Sequence, residues 1–132
     1  MHFLLPSGGD FEIPDDWWIE AGMLDFQPRS QTYAVQPNVE QLHVLMPKQE
    51  IEPPSRARVL DFGGFQRDRM VAVLKGFAAS MSLPAIVLHE QVEPGRPYRV
   101  YDGYHRFYAS IAAGFPAVPV IFTNIERVMS GG

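Results

Sequence analysis

Hydrophobic and polar positions along the chain fall into short periodic runs separated by proline and glycine. Arg67 to Ser80 sets Met70, Val71, Val73, Leu74 and Phe77 three to four residues apart, the spacing of one helix face. Gln41 to Met46 alternates as a half-buried strand does, and Pro47 ends the run. Leu83 to His89 predicts a strand entered through proline, Val92 to Pro97 a turn, and Tyr98 to Tyr101 its hairpin partner. A sharp turn at Asp102-Gly103 follows, then a helix over 104–113 stopped by Gly114, and a strand over 118–122. Between Glu50 and Gly64 the pairs Pro53-Pro54 and Gly63-Gly64 predict a long loop, and Thr123 to Met129 predicts one terminal helical turn.

Phe11 to Gly22 predicts a further short helix. Pro14 suits its first position, Asp15 and Asp16 favour its positive end, and Gly22 can stop it. Segment 23–39, with Pro28, Pro37 and Asn38, reads as irregular and as a boundary. The expected organisation is an acidic N-terminal extension over 1–37 carrying a Trp-containing helix, and a main domain over 38–132. The fold class is α+β (α/β), a small mixed β-sheet flanked by two main helices. Adjacent residues on a helix point about 100° apart. One of Trp17 and Trp18 is therefore expected to pack on the domain, and the other is a candidate interface for a homo-oligomer or a partner.

Composition narrows the function classes. A length of 132 residues suits one domain, and 46% apolar residues suit a globular core. No run approaches a membrane span and the N-terminal apolar stub is too short for a signal peptide, so no membrane contact and a cytoplasmic location are expected. With no cysteine, disulfides and thiolate chemistry are excluded. His2, His43 and His89 stand singly without metal-ligand spacing, so no metal site is expected from them. The net charge of −4 argues against non-specific nucleic-acid binding. It is uneven, with six acids against one base in residues 1–36 and a slight positive excess beyond. Arg56, Arg58, Arg67, Arg69 and Lys75 face only Asp61 and Asp68 within 53–75, either a site for one anionic ligand or a solvated basic face.

The run Asp102-Gly103-Tyr104-His105-Arg106 carries the candidate chemistry. It puts unpartnered first-turn amides, a histidine and an arginine at a helix N-terminus, a position suited to phosphate. Arg106 can equally form a salt bridge to Asp102 or Glu126, and His105 can simply face water. Aspartate at such a place also forms turns and caps helices. The rings of Tyr101, Tyr104, Phe107 and Tyr108 suit core and rim packing better than a base-stacking platform.

Gly103-Tyr-His-Arg106 opening an alanine-rich helix (Ala109, Ala112, Ala113), then Gly114 and Val118-Pro119-Val120, resembles the ParB/sulfiredoxin-like superfamily over roughly residues 38–124. Sulfiredoxins place a cysteine where Tyr104 stands, which excludes sulfinic-acid reduction. Partition ParB proteins carry two arginines where this chain has His105-Arg106 and continue into a helix-turn-helix domain. A chain ending at Gly132 is expected not to be a complete partition protein. The free serine kinases of the superfamily have the nearest turn, and a glutamate of their first strand–loop segment takes part in catalysis. Glu50 and Glu52 both lie in that region.

The resemblance implies a nucleotide-binding domain, an NTP hydrolase or phosphotransferase. Gly103, Tyr104, His105, Arg106 and Arg69 would bind the nucleotide, with Asp102 and His105 catalytic. Arg69 falls about where sulfiredoxins carry a lysine. Asp102 would hold magnesium accompanying the nucleotide or accept a proton from a hydroxyl. A non-catalytic protein-interaction module keeping the fold is the alternative. A nuclease is disfavoured by the acidic charge and by the lack of an acidic metal cluster.

Overall fold

The computed structural model describes residues 1–55, 61–90 and 97–123. Strands β1 (His2–Leu4) and β2 (Asp10–Glu12) form an antiparallel hairpin, followed by helix α1 (Asp15–Glu20). Strand β3 (Val44–Pro47), a 3-10 turn (Lys48–Glu50) and strand β4 (Ile51–Glu52) lead to helix α2 (Arg67–Ala78). Strands β5 (Ile86–Glu90) and β6 (Tyr98–Asp102), helix α3 (Tyr104–Ala113) and strand β7 (Ala117–Phe122) complete the order.

The main sheet has five strands in the order β3-β7-β5-β6-β4. It is mixed, with β3/β7 and β5/β6 antiparallel and β5/β7 and β4/β6 parallel. The architecture is α+β, as the sequence predicts. Helix α2 buries Met70, Val71, Leu74 and Phe77, the stripe its periodicity gave, and packs on α3 and α1.

Residues 1–37 share this core. Phe11, Ile13, Trp17, Trp18 and Met23 belong to one apolar cluster with Phe65, Leu74, Phe107 and Tyr108. The Phe11 ring meets Tyr108 edge-on at 5.1 Å, and Phe65 meets Tyr108 at 5.2 Å. Both tryptophans are buried within the chain, at 5% and 7% exposure, so α1 docks on its own molecule through both indoles and neither is left outward. Trp18 lies against Phe3 of the hairpin, and Trp17 against Phe62.

Three departures from the sequence reading have local causes. The strand expected from Gln41 begins only at Val44. Asn38 Oδ1 accepts from the amides of Glu40 and Gln41 in a turn, and the Gln41 side chain bonds both backbone groups of Phe122 in place of a ladder. The loop expected over 50–64 contains β4, whose two residues pair with Tyr98 and Arg99 of β6 and are too few to show alternation. The hairpin β1–β2 has strands of three residues and was equally invisible to periodicity. Arg56, Arg58, Glu126, all but Pro97 of the turn expected over 92–97, and all but Thr123 of the helical turn expected over 123–129 lie outside the described residues.

Candidate functional site

The candidate turn sits where β6 ends and α3 begins, and its glycine is fixed by packing. Gly103 is buried at φ 118°, and a Cβ there would lie 3.1 Å from Ile86 Cγ1 on the neighbouring strand. A side chain at 103 is therefore opposed both by the backbone conformation and by the sheet. Helix α3 has no side-chain cap at Gly103, so its first-turn amides are the kind of donors that an anion satisfies.

A second helix N-terminus meets the first. Phe62 and Phe65 exchange both backbone hydrogen bonds, 3.1 and 2.7 Å, around Gly63 and Gly64 at φ 52° and 92°, the left-handed pair that a two-residue hairpin turn needs. This turn drives Phe65 fully into the core and reverses the chain into α2. The Tyr104 hydroxyl donates to the Gly64 carbonyl at 2.6 Å, and the Gln66 amide donates to His105 Nε2 at 2.9 Å. The Arg67 amide donates to Asp61 Oδ2 at 2.9 Å. The first turns of α2 and α3 are thus held side by side.

His105 is uncharged at neutral pH. Burial, and secondarily the Arg69 guanidinium, push its pKa down from 6.5 to about 4. Because Nε2 accepts the Gln66 N–H, the ring hydrogen is on Nδ1, and His105 brings neutral hydrogen bonding rather than a positive charge. Arg69 is exposed, close enough to His105 to act on its charge, and makes no ion pair with another described residue.

Arg106 turns the other way. Its side chain is only 15% exposed, and Nη1 donates to the carbonyls of Pro84 and Ala85 at 2.8 and 3.0 Å. Nη2 lies 3.8 Å from Asp102 Oδ2, the structural pairing the sequence also allowed. The Tyr33 hydroxyl donates to the same Pro84 carbonyl at 2.5 Å, and its burial raises the phenol well above its ordinary value. Arg106 therefore ties α3 to the entry of β5 and to the segment around Tyr33.

Asp102 is exposed at the end of β6. Glu52 of β4 pairs with Arg99 of β6, and the Tyr108 hydroxyl of α3 donates to the carbonyl of Pro54, two residues on, at 2.6 Å; Glu50 is exposed in the 3-10 turn. Arg69, Tyr104 and His105 are brought together, with Gly103 beneath them, while Arg106 faces away and Trp17 and Trp18 lie in the core. Sequence reasoning missed Gln66, Gly64 and Asp61, the partners that bind the two N-termini to each other; the Gly63-Gly64 pair was the available signal. Among the described residues no group of three or more His, Asp or Glu side chains is placed to hold a metal ion, and no helix is long and apolar enough to cross a membrane. No family model and no curated protein matches the chain.

Proposed function

We propose that the junction of the α2 and α3 N-termini binds a phosphate-bearing small molecule, a nucleotide in the reading that the ParB/sulfiredoxin-like resemblance implies. The observation that carries this is the 2.9 Å contact of Gln66 N–H with His105 Nε2, which aligns two helix N-termini beside the exposed Arg69. The uncapped N-terminus of α3 and a guanidinium that makes no ion pair with another described residue favour an anion beside them. From β3 to β7 the elements run strand, 3-10 turn, two-residue strand, helix, strand, strand, helix, strand, and apart from β4 this order is compatible with the resemblance. Arg69 and the first-turn amides of α3 then bind phosphate, the neutral His105 donates through Nδ1, and Arg106 holds α3 in place from behind. Magnesium brought by a nucleotide would need few protein ligands; the exposed Asp102 carboxylate would be the candidate to hold it, and the ion would neutralise phosphate charge.

The test is a thermal-shift and calorimetric series with inorganic phosphate, ATP, GTP and CTP, with and without magnesium. Binding that disappears in Arg69→Gln, with amide NMR shifts confined to residues 66–69 and 103–106, supports the reading. No binding, or binding indifferent to Arg69→Gln, refutes it.

A non-catalytic module is the second reading, favoured by the engagement of Arg106 and His105 with the chain's own carbonyl and amide groups. Turnover separates the two. A hydrolase or phosphotransferase loses turnover in Asp102→Asn while keeping nucleotide affinity within about tenfold; a module turns nothing over.

A further inference from the structure

The opposite end of α2 borders a cavity of about 690 Å³, within the usual range for small-ligand sites. The twelve residues of α2 separate it by roughly 18 Å from the N-terminal junction. It opens between segment 22–34 and the C-terminal turn of the helix, and Phe26, Phe77 and Phe115 line it. These rings meet edge-on, Phe26 with Phe115 at 5.9 Å and Phe77 with Phe115 at 5.3 Å, leaving an apolar aromatic surface.

Polar groups of both signs surround that surface. Asp25 and Arg29 line the cavity, are exposed, and make no ion pair with another described residue. Thr32 also lines it, and its hydroxyl oxygen is buried without a hydrogen-bond partner among the described residues. Burying a hydroxyl unpaired is unfavourable, so such a group is poised to bond to whatever enters beside it. The C-terminal end of α2, which also lines the cavity, adds a partial negative charge.

We propose that this cavity binds a small zwitterion of the amino-acid type with an aromatic or large apolar side chain. The phenylalanine cluster takes the side chain and Arg29 takes the carboxylate. Asp25 and the α2 C-terminus take the ammonium group, and the Thr32 hydroxyl turns into the cavity to complete a hydrogen bond. An anion or a cation alone would satisfy one of the two rim charges and leave the other facing it. This site is separate from the α2/α3 junction and does not depend on a phosphate binding there.

The experiment uses L-phenylalanine, L-tryptophan and L-leucine as probes in ligand-observed NMR and thermal shift. Glycine lacks the side chain, phenylacetate lacks the ammonium group, and phenethylamine lacks the carboxylate. Saturable binding of the three amino acids, with each truncated probe weaker by about tenfold or more, is expected. Arg29→Gln and Thr32→Val should each weaken the amino acids by a similar factor. Thr32→Val should leave the melting temperature of the free protein unchanged or raised, because its hydroxyl makes no bond to lose. The proposal is overturned if none of the amino acids binds below about 10 mM. It is equally overturned if the truncated probes bind as well, or if both variants bind as the parent does.

Discussion

Lowering the pH should loosen the contact that aligns the two helix N-termini, and His105 sets where. Its pKa is 6.5 in an unfolded chain and about 4 in the folded one. The contribution is therefore fully present above pH 6.5. It is lost as pH falls from 6.5 to 4, because the unfolded chain takes up a proton that the folded ring refuses, and it is constant below that. Complete linkage over that interval corresponds to about 3 kcal/mol, and the partial exposure of the ring reduces the expected loss to about 1–2 kcal/mol. Protonation also fills the Nε2 lone pair that accepts the Gln66 amide, so the lost stability has a location.

The assay is urea unfolding of the parent and of His105→Gln at half-unit steps from pH 8 to pH 4. Glutamine keeps an acceptor without a titrating group, and the difference between the two curves removes the background from carboxylates and from His2, His43 and His89. The gap should narrow in the variant's favour below pH 6.5, with the His105 ring signal in NMR remaining neutral down to about pH 5. Parallel stability curves, or a ring that titrates near 6.5, would refute the reasoning.

Arg69→Gln should raise the His105 pKa yet leave it below 6.5, since burial is the larger cause; a return to 6.5 in an NMR titration would reverse that ranking. Gly103→Ala should cost about 1–3 kcal/mol by urea unfolding, because alanine meets both the positive φ and Ile86. Trp17→Ala and Trp18→Ala should each lower stability by about 3–5 kcal/mol without changing molecular mass in solution, as measured by light scattering; a fall in mass would return these residues to an interface. Arg106→Met should destabilise the fold by about 1–3 kcal/mol, leaving the Pro84 and Ala85 carbonyls short of a donor, and unchanged stability would show that these bonds carry nothing.

What was legible in the sequence is what depends on neighbours along the chain. The 67–78 helix announced itself by its apolar stripe, and 104–113 by the glycines on either side, because helix periodicity and caps act within a few residues. Strands β5, β6 and β7 were bounded by proline, glycine and polar turns in the same way. The α+β class and the position of the turn follow from those elements. Strand β4 escaped because two residues carry no period, and only pairing with β6, 47 residues later in the chain, makes them a strand.

The side-chain roles at the turn belonged to tertiary structure for the same reason. His105 and Arg106 are adjacent in sequence and, being on a helix, diverge by about 100°. One reaches the α2 N-terminus and is held neutral by burial; the other reaches the Pro84 and Ala85 carbonyls. Which of two neighbouring polar residues faces an open junction and which is drawn inward is decided by groups 20 to 40 residues away, and no local pattern encodes that. Trp17 and Trp18 make the same point: their 100° separation suggested one inside and one outside, but the β1–β2 hairpin and the Phe62–Phe65 turn cover α1 from two directions and bury both.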